Sequence, residues 1–187
     1  MTKPTLHEVV KLSYADKQKQ SNGLKSYGYN YDSRFSNDNH QVYYNPNEQK
    51  MIFSVTGTHK ANDWITNAYL GLGKIKETSR YQDSDKALKE AKSYYNPKNV
   101  SVTGHSQGGT TAAYIAQPSD KVLTLNKGVS IGQGHRPNET AYRTEGDIVS
   151  LLGVRNRNMT TLLNNNFFKN SLSAHNVDNI ENEQIYV

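Results

Sequence analysis

Apolar residues at the start of the chain recur at near-helical spacing, with Leu6, Val9, Val10, Leu12 and Ala15 following Thr5. Such a stripe needs one buried face, so residues 5–20 read as a single amphipathic helix opened by a capping threonine or proline. The period then lapses. Residues 21–40 are rich in Gly, Ser, Asn and Tyr and read as irregular structure. Two β-prone runs follow, Gln41-Val42-Tyr43-Tyr44 and Lys50-Met51-Ile52-Phe53-Ser54-Val55, separated by the turn residues Asn45-Pro46-Asn47-Glu48. Together they predict a hairpin whose second strand runs into Thr56-Gly57-Thr58.

Helical patterning returns over 62–75, with Trp64, Ile65, Ala68, Tyr69 and Leu72 on one side. It recurs over 83–95, where Ala87, Leu88 and Ala91 face inward and Asn96-Pro97 stops the helix. Val100-Ser101-Val102-Thr103 has the composition of a short buried strand, and a small-residue helix over 110–116 follows closely. Further strands are expected around 122–125, 129–131 and 140–143, while the asparagine-rich stretch 156–170 carries only weakly helical apolar pairs. Strands alternating with helices predict an α/β fold built on a compact, mostly parallel central sheet.

Length and composition narrow the class. The 187 residues fit one domain, 1–187, with the N-terminal helix over 5–20 and a core over about 40–180. Hydrophobic residues make up 34% of the chain and no run approaches a bilayer-spanning length, so a soluble body is expected. No apolar segment stands behind Lys3, so no secretory signal is expected at this start, and localisation stays open. The absence of cysteine excludes disulfides, thiolate metal sites and a cysteine nucleophile. A net charge of +5 is spread among acidic residues, which reads as a solvated surface with room for peripheral contact with anionic lipid. No nucleic-acid motif accompanies it, and the oligomeric state is not legible.

The chemistry concentrates between the strand at 100–103 and the helix that follows. Gly104-His105-Ser106-Gln107-Gly108 fits G-x-S-x-G, and the strand-turn-helix context is what a nucleophile elbow requires. A glycine-rich turn that merely packs helix on strand is the competing reading. A serine at its ordinary pKa needs a base oriented by an acid, which in such folds follow in the order acid then histidine. The downstream histidines are His135 and His175, and the acids between Ser106 and His175 are Asp120, Glu139, Glu145 and Asp147. Asp147 stands best, just past a strand's C-terminal edge, and the order then selects His175. An oxyanion hole would draw on the Gln107 amide and a second amide at an earlier strand end, for which Thr58 is the candidate. His105 reads as a packing residue beside the serine. The histidines show no metal-ligand spacing, so neither metal nor cofactor is expected.

These segments together resemble the class 3 lipase family. Residues Ile52-Phe53-Ser54-Val55-Thr56-Gly57-Thr58 with Asn62-Asp63-Trp64 resemble its oxyanion segment. Val102-Thr103-Gly104-His105-Ser106-Gln107-Gly108-Gly109 is similar to its elbow, and Tyr142-Arg143-Thr144-Glu145-Gly146-Asp147-Ile148-Val149 to its acid segment. The resemblance implies an α/β-hydrolase with Ser106, Asp147 and His175 as triad and Thr58 and Gln107 as oxyanion donors. It also implies an ester or lipid substrate. Two departures accompany it: Ile131 reaches Tyr142 with no room for the helix usual there, and the segment 59–63 is too short and polar for an amphipathic lid. The second predicts little interfacial activation and a preference for short or medium acyl chains. A non-catalytic binding protein on the same fold, and a thioesterase or peptidase, are the rival readings.

Overall fold

The computed structural model describes residues 2–58, 75–128, 136–147, 159–162, 175–179 and 184–187, with only the backbone of 159–162 and 179. The expected helix 62–75, apart from Ile75, the strand around 129–131 and the short segment 59–63 lie outside these residues.

The first helix, α1 (Leu6–Ser13), starts as its sequence requires. Thr5 caps it by accepting the Glu8 amide, and the Glu8 carboxylate accepts the Thr5 amide at 2.7 Å, a reciprocal capping box. The helix expected over 5–20 is nevertheless two. Ser13 turns its hydroxyl back onto the Val10 carbonyl, and Asp16 takes the Lys19 amide at 2.8 Å, opening α2 (Lys17–Asn22) as a fresh helix. Short polar side chains offered the backbone local partners and broke the period that Ala15 had continued. Tyr14 is left at the C-cap of α1.

The strands are β1 (Asn30–Tyr31), β2 (His40–Asn45), β3 (Lys50–Val55), β4 (Asn99–His105), β5 (Lys121–Leu125), β6 (Glu139–Thr144) and β7 (Met159–Leu162). They lie side by side in chain order in one seven-stranded sheet. β1, β2 and β3 pair antiparallel, the expected hairpin with a two-residue edge strand added inside the stretch read as irregular. From β3 to β7 every pair is parallel. The hairpin turn is closed by Asn45, whose Oδ1 accepts the amides of Asn47 and Glu48. β7 departs from the weak helical reading of 156–170: Met159-Thr160-Thr161-Leu162 is rich in β-branched residues and completes the ladder that β6 leaves open on its outer side.

Alternation along the strands sends successive side chains to opposite faces. Val42, Met51, Phe53, Val55, Val102 and Val122 pack beneath Ala87, Leu88 and Ala91 of α3 (Ser79–Tyr95) and Ala112, Ala113 and Ile115 of α4 (Gln107–Ile115). On the other face Ile52 and Tyr43 meet Val9, and Leu123 and Leu125 meet Leu6 and Val10 of α1. α3 begins four residues before the start expected at 83, because Thr78 caps it by accepting the Tyr81 amide. It ends as expected, at Asn96 in the left-handed region ahead of Pro97.

Two acids considered for catalysis are committed elsewhere. Asp120 binds Lys92 at 2.6 Å and the Gln117 amide at 2.7 Å, tying α3 to the turn before β5. Glu139 is buried against the Lys127 ammonium and accepts the Thr124 hydroxyl at 3.1 Å. Removing one partner of such a pair strands a charge in a medium that solvates it poorly, at a cost of about 3–5 kcal/mol. Glu139→Gln is therefore expected to lower unfolding free energy by about that amount in urea titrations. A variant as stable as the parent would contradict this pairing.

Candidate active site

Ser106 sits between β4 and α4 with φ 54° and ψ −128°, a conformation that side chains seldom adopt. Its backbone is held on three sides: the Ser106 amide donates to the Leu125 carbonyl, and the Ser106 carbonyl accepts the Gly128 and Thr110 amides, each at 3.2 Å. The turn is also crowded. A Cβ on Gly104 would lie 2.5 Å from the Gly108 carbonyl oxygen, and one on Gly108 would lie 2.3 Å from the Val55 carbonyl oxygen. Only glycine lets α4 seat this close to the ends of β4 and β3. Ser106 occupies the N-cap of α4, yet its hydroxyl does not cap the helix.

That hydroxyl lies 2.8 Å from His175 Nε2, and His175 Nδ1 lies 2.9 Å from Asp147 Oδ1. A carboxylate only accepts, so Nδ1 carries the imidazole proton and Nε2 accepts from the serine. Asp147 is fully buried, and Ser106 and His175 are each 5% exposed. Asp147 follows β6 through a turn in which its amide donates to the Thr144 carbonyl and Gly146 takes φ 81°. The end of β6 is in turn stapled to β5 by Asn126, whose Oδ1 accepts the Thr144 amide at 2.7 Å. His175 leads into a short turn, Val177–Asn179, which α1 holds: His7 Nε2 donates to the Val177 carbonyl at 2.9 Å, and Val177 packs on Leu6 and Val10.

His105 does more than pack. Its Nε2 lies 2.8 Å from the His175 carbonyl and its Nδ1 2.8 Å from the Tyr14 hydroxyl. The carbonyl can only accept, so Nε2 bears the proton and the tyrosine donates to Nδ1. Burial, with His175 nearby, pushes the His105 pKa down to about 3 and keeps this ring neutral. Burial likewise pushes the Tyr14 hydroxyl up. Thr58 and Gln107, the expected oxyanion pair, are neighbours, the Thr58 hydroxyl donating to Gln107 Oε1 at 2.9 Å.

The structure thus brings together Ser106, His175, Asp147, Thr58 and Gln107, and gathers Tyr14, His105 and Arg80 around them. Sequence reasoning missed Tyr14 and Arg80. Glu145 lies two residues before Asp147, and His135 lies outside the described residues. Among the described residues no group of three His, Asp or Glu side chains is placed to hold a metal ion, and no helix is long and apolar enough to cross a membrane.

No family model matches the chain, and no curated protein matches it. Solved structures do. The Lip2 lipase from Yarrowia lipolytica superposes with a TM-score of 0.60 at 13% identity, over 83% of this chain and 76% of that one. The triacylglyceride lipase of Rhizomucor miehei gives 0.53 at 14% identity, over 87% and 79%. A triacylglycerol lipase described as having a serine protease triad as its catalytic centre gives 0.53 at 15%, over 78% and 71%. The chain has the α/β-hydrolase fold of these lipases.

Two buried histidines give the fold a defined acid sensitivity. His105 is held down to about 3, and His40, buried and stacked on Phe53, to about 4, against an ordinary value of 6.5. Above 6.5 both states carry neutral rings. As pH falls below it the unfolded chain binds protons that the folded chain refuses, so stability drops at up to about 1.4 kcal/mol per pH unit for each ring. Urea midpoints are expected to fall steadily from pH 7 to pH 5, and the His105 imidazole should remain neutral by NMR at pH 5. A flat midpoint over that range would contradict both assignments.

Proposed function

We propose that this chain is a serine hydrolase that cleaves carboxylic esters through an acyl-enzyme. The observation that carries the reading is the unbroken run from Ser106 Oγ to His175 Nε2 at 2.8 Å and from His175 Nδ1 to Asp147 Oδ1 at 2.9 Å, mounted on a strained elbow. Its structural neighbours are lipases, which supports a lipid or a short-to-medium acyl ester as substrate. We read residues 1–187 as one catalytic unit that works without a cofactor.

In this mechanism His175 takes the Ser106 proton as Oγ attacks the ester carbonyl carbon. Asp147 holds the ring in the tautomer with its proton on Nδ1 and stabilises the imidazolium that forms. The negative charge moves to the former carbonyl oxygen, which the backbone amides of Thr58 and Gln107 receive. Position at the N-terminus of α4 favours that charge further. His175 then protonates the departing alkoxide, and water, deprotonated by the same ring, releases the acid and restores Ser106.

A fluorophosphonate probe should label Ser106 rapidly, as read by peptide mass spectrometry, and Ser106→Ala should abolish both labelling and turnover of a nitrophenyl ester. Asp147→Asn should lower kcat by about 10³–10⁴-fold, because an amide permits the wrong tautomer at His175. Absence of labelling in a folded sample would return the chain to a binding role on a hydrolase fold. Thioester and peptide substrates in the same panel separate the remaining acyl-transfer classes.

A further inference from the structure

Arg80 is the second residue of α3, where a cation opposes the helix macrodipole. It is half-buried, and burial lowers its pKa, which marks the placement as costly. Among the described residues no carboxylate pairs with it. Instead Nη1 donates to the Thr56 carbonyl and, at 3.1 Å, to the Gly57 carbonyl. These are the last two carbonyls before Thr58, whose amide is assigned to the oxyanion hole.

The peptide joining Gly57 to Thr58 is planar and trans, so its C=O and N–H point in opposite directions. Whatever fixes the Gly57 carbonyl therefore also fixes the direction of the Thr58 amide. A guanidinium on the oxygen further draws electron density from the nitrogen and makes the N–H a better donor. The rest of this peptide's surroundings are equally constrained: a Cβ on Gly57 would lie 2.2 Å from the Tyr14 hydroxyl and 2.7 Å from the His105 carbonyl oxygen. Thr58 is tied on the side of the nucleophile through Gln107.

The geometry points to Arg80 as a positioning residue for the oxyanion hole, which holds the Gly57 carbonyl and through the rigid peptide aims and polarises the Thr58 N–H. This rests on the serine-hydrolase reading above. Arg80 touches no reacting atom. Its effect belongs to the transition state, where the carbonyl oxygen gains charge, and is small on the bound ester, so it falls on kcat and not on KM. Loss of an oxyanion donor outright costs about 10²–10³-fold. Loss of a group acting through that donor is expected to cost less, about 10–100-fold.

The test is burst kinetics on a nitrophenyl ester with the parent, Ser106→Ala, Arg80→Ala and Arg80→Lys, with rates taken per folded molecule from unfolding curves in the same buffer. Arg80→Ala is expected to slow acylation about 10–100-fold with KM within about twofold. Arg80→Lys should retain part of the rate. Added ethylguanidinium should restore part of the Arg80→Ala rate and leave the parent unchanged, which a residue that only anchors α3 would not allow. An Arg80→Ala enzyme as fast as the parent, or one whose loss lies in KM and ignores ethylguanidinium, overturns the assignment while leaving the hydrolase reading intact. If parent and Ser106→Ala turn over the ester equally, the hydrolase reading fails and this proposal with it.

Discussion

The close approach of α4 to the ends of β3 and β4 is the constraint on which the site depends. Gly104 and Gly108 remove the side chains that would keep the helix away, and the chain must then turn from strand to helix within one residue. That residue is Ser106, and the strain of its backbone, of order 1–3 kcal/mol, persists because three backbone hydrogen bonds fix the peptides on either side. The strain decides where the hydroxyl points. A serine in ordinary N-cap geometry would give its hydroxyl to the helix's own amides, whereas here the hydroxyl is directed to His175.

Much of this was legible because it is local. The hairpin, the parallel strands and the inward face of α3 follow from alternation and helical period. The elbow is a short segment whose glycines, serine and flanking elements must all be adjacent in sequence. Asp147 and His175 were chosen from chain order and strand-edge position, and the parallel sheet lays β4, β5 and β6 side by side. The resemblance to lipases anticipated the α/β-hydrolase fold that the structural neighbours bear out.

What escaped is long-range or decided by small polar groups. Tyr14 and His105 are separated by most of the sheet in sequence, and nothing in either neighbourhood marks them as partners. Arg80 reads as an ordinary charge early in a helix, and only the superposition of α3 on the end of β3 reveals what its guanidinium binds. The break in the first helix turned on whether the Asp16 carboxylate would cap Lys19, a contest of about 1 kcal/mol that apolar spacing does not record. β7 followed from an open ladder on β6, which is a property of the sheet and not of residues 159–162 alone.

The charge pattern around the proposed reaction explains why His105 has to be neutral. At the transition state Asp147 is negative, His175 positive and the substrate oxygen negative, with the Arg80 cation behind the amide facing that oxygen. Signs alternate along this path. The His105 ring lies 4.8 Å from the His175 ring, so a charged His105 would oppose the imidazolium by about 3 kcal/mol at an effective dielectric of about 20, roughly a hundredfold in rate. Burial removes that competitor without removing the donor, because neutral His105 still offers Nε2–H to the His175 carbonyl while Tyr14 satisfies Nδ1. His105 thereby holds His175 in place through the main chain and adds no charge of its own.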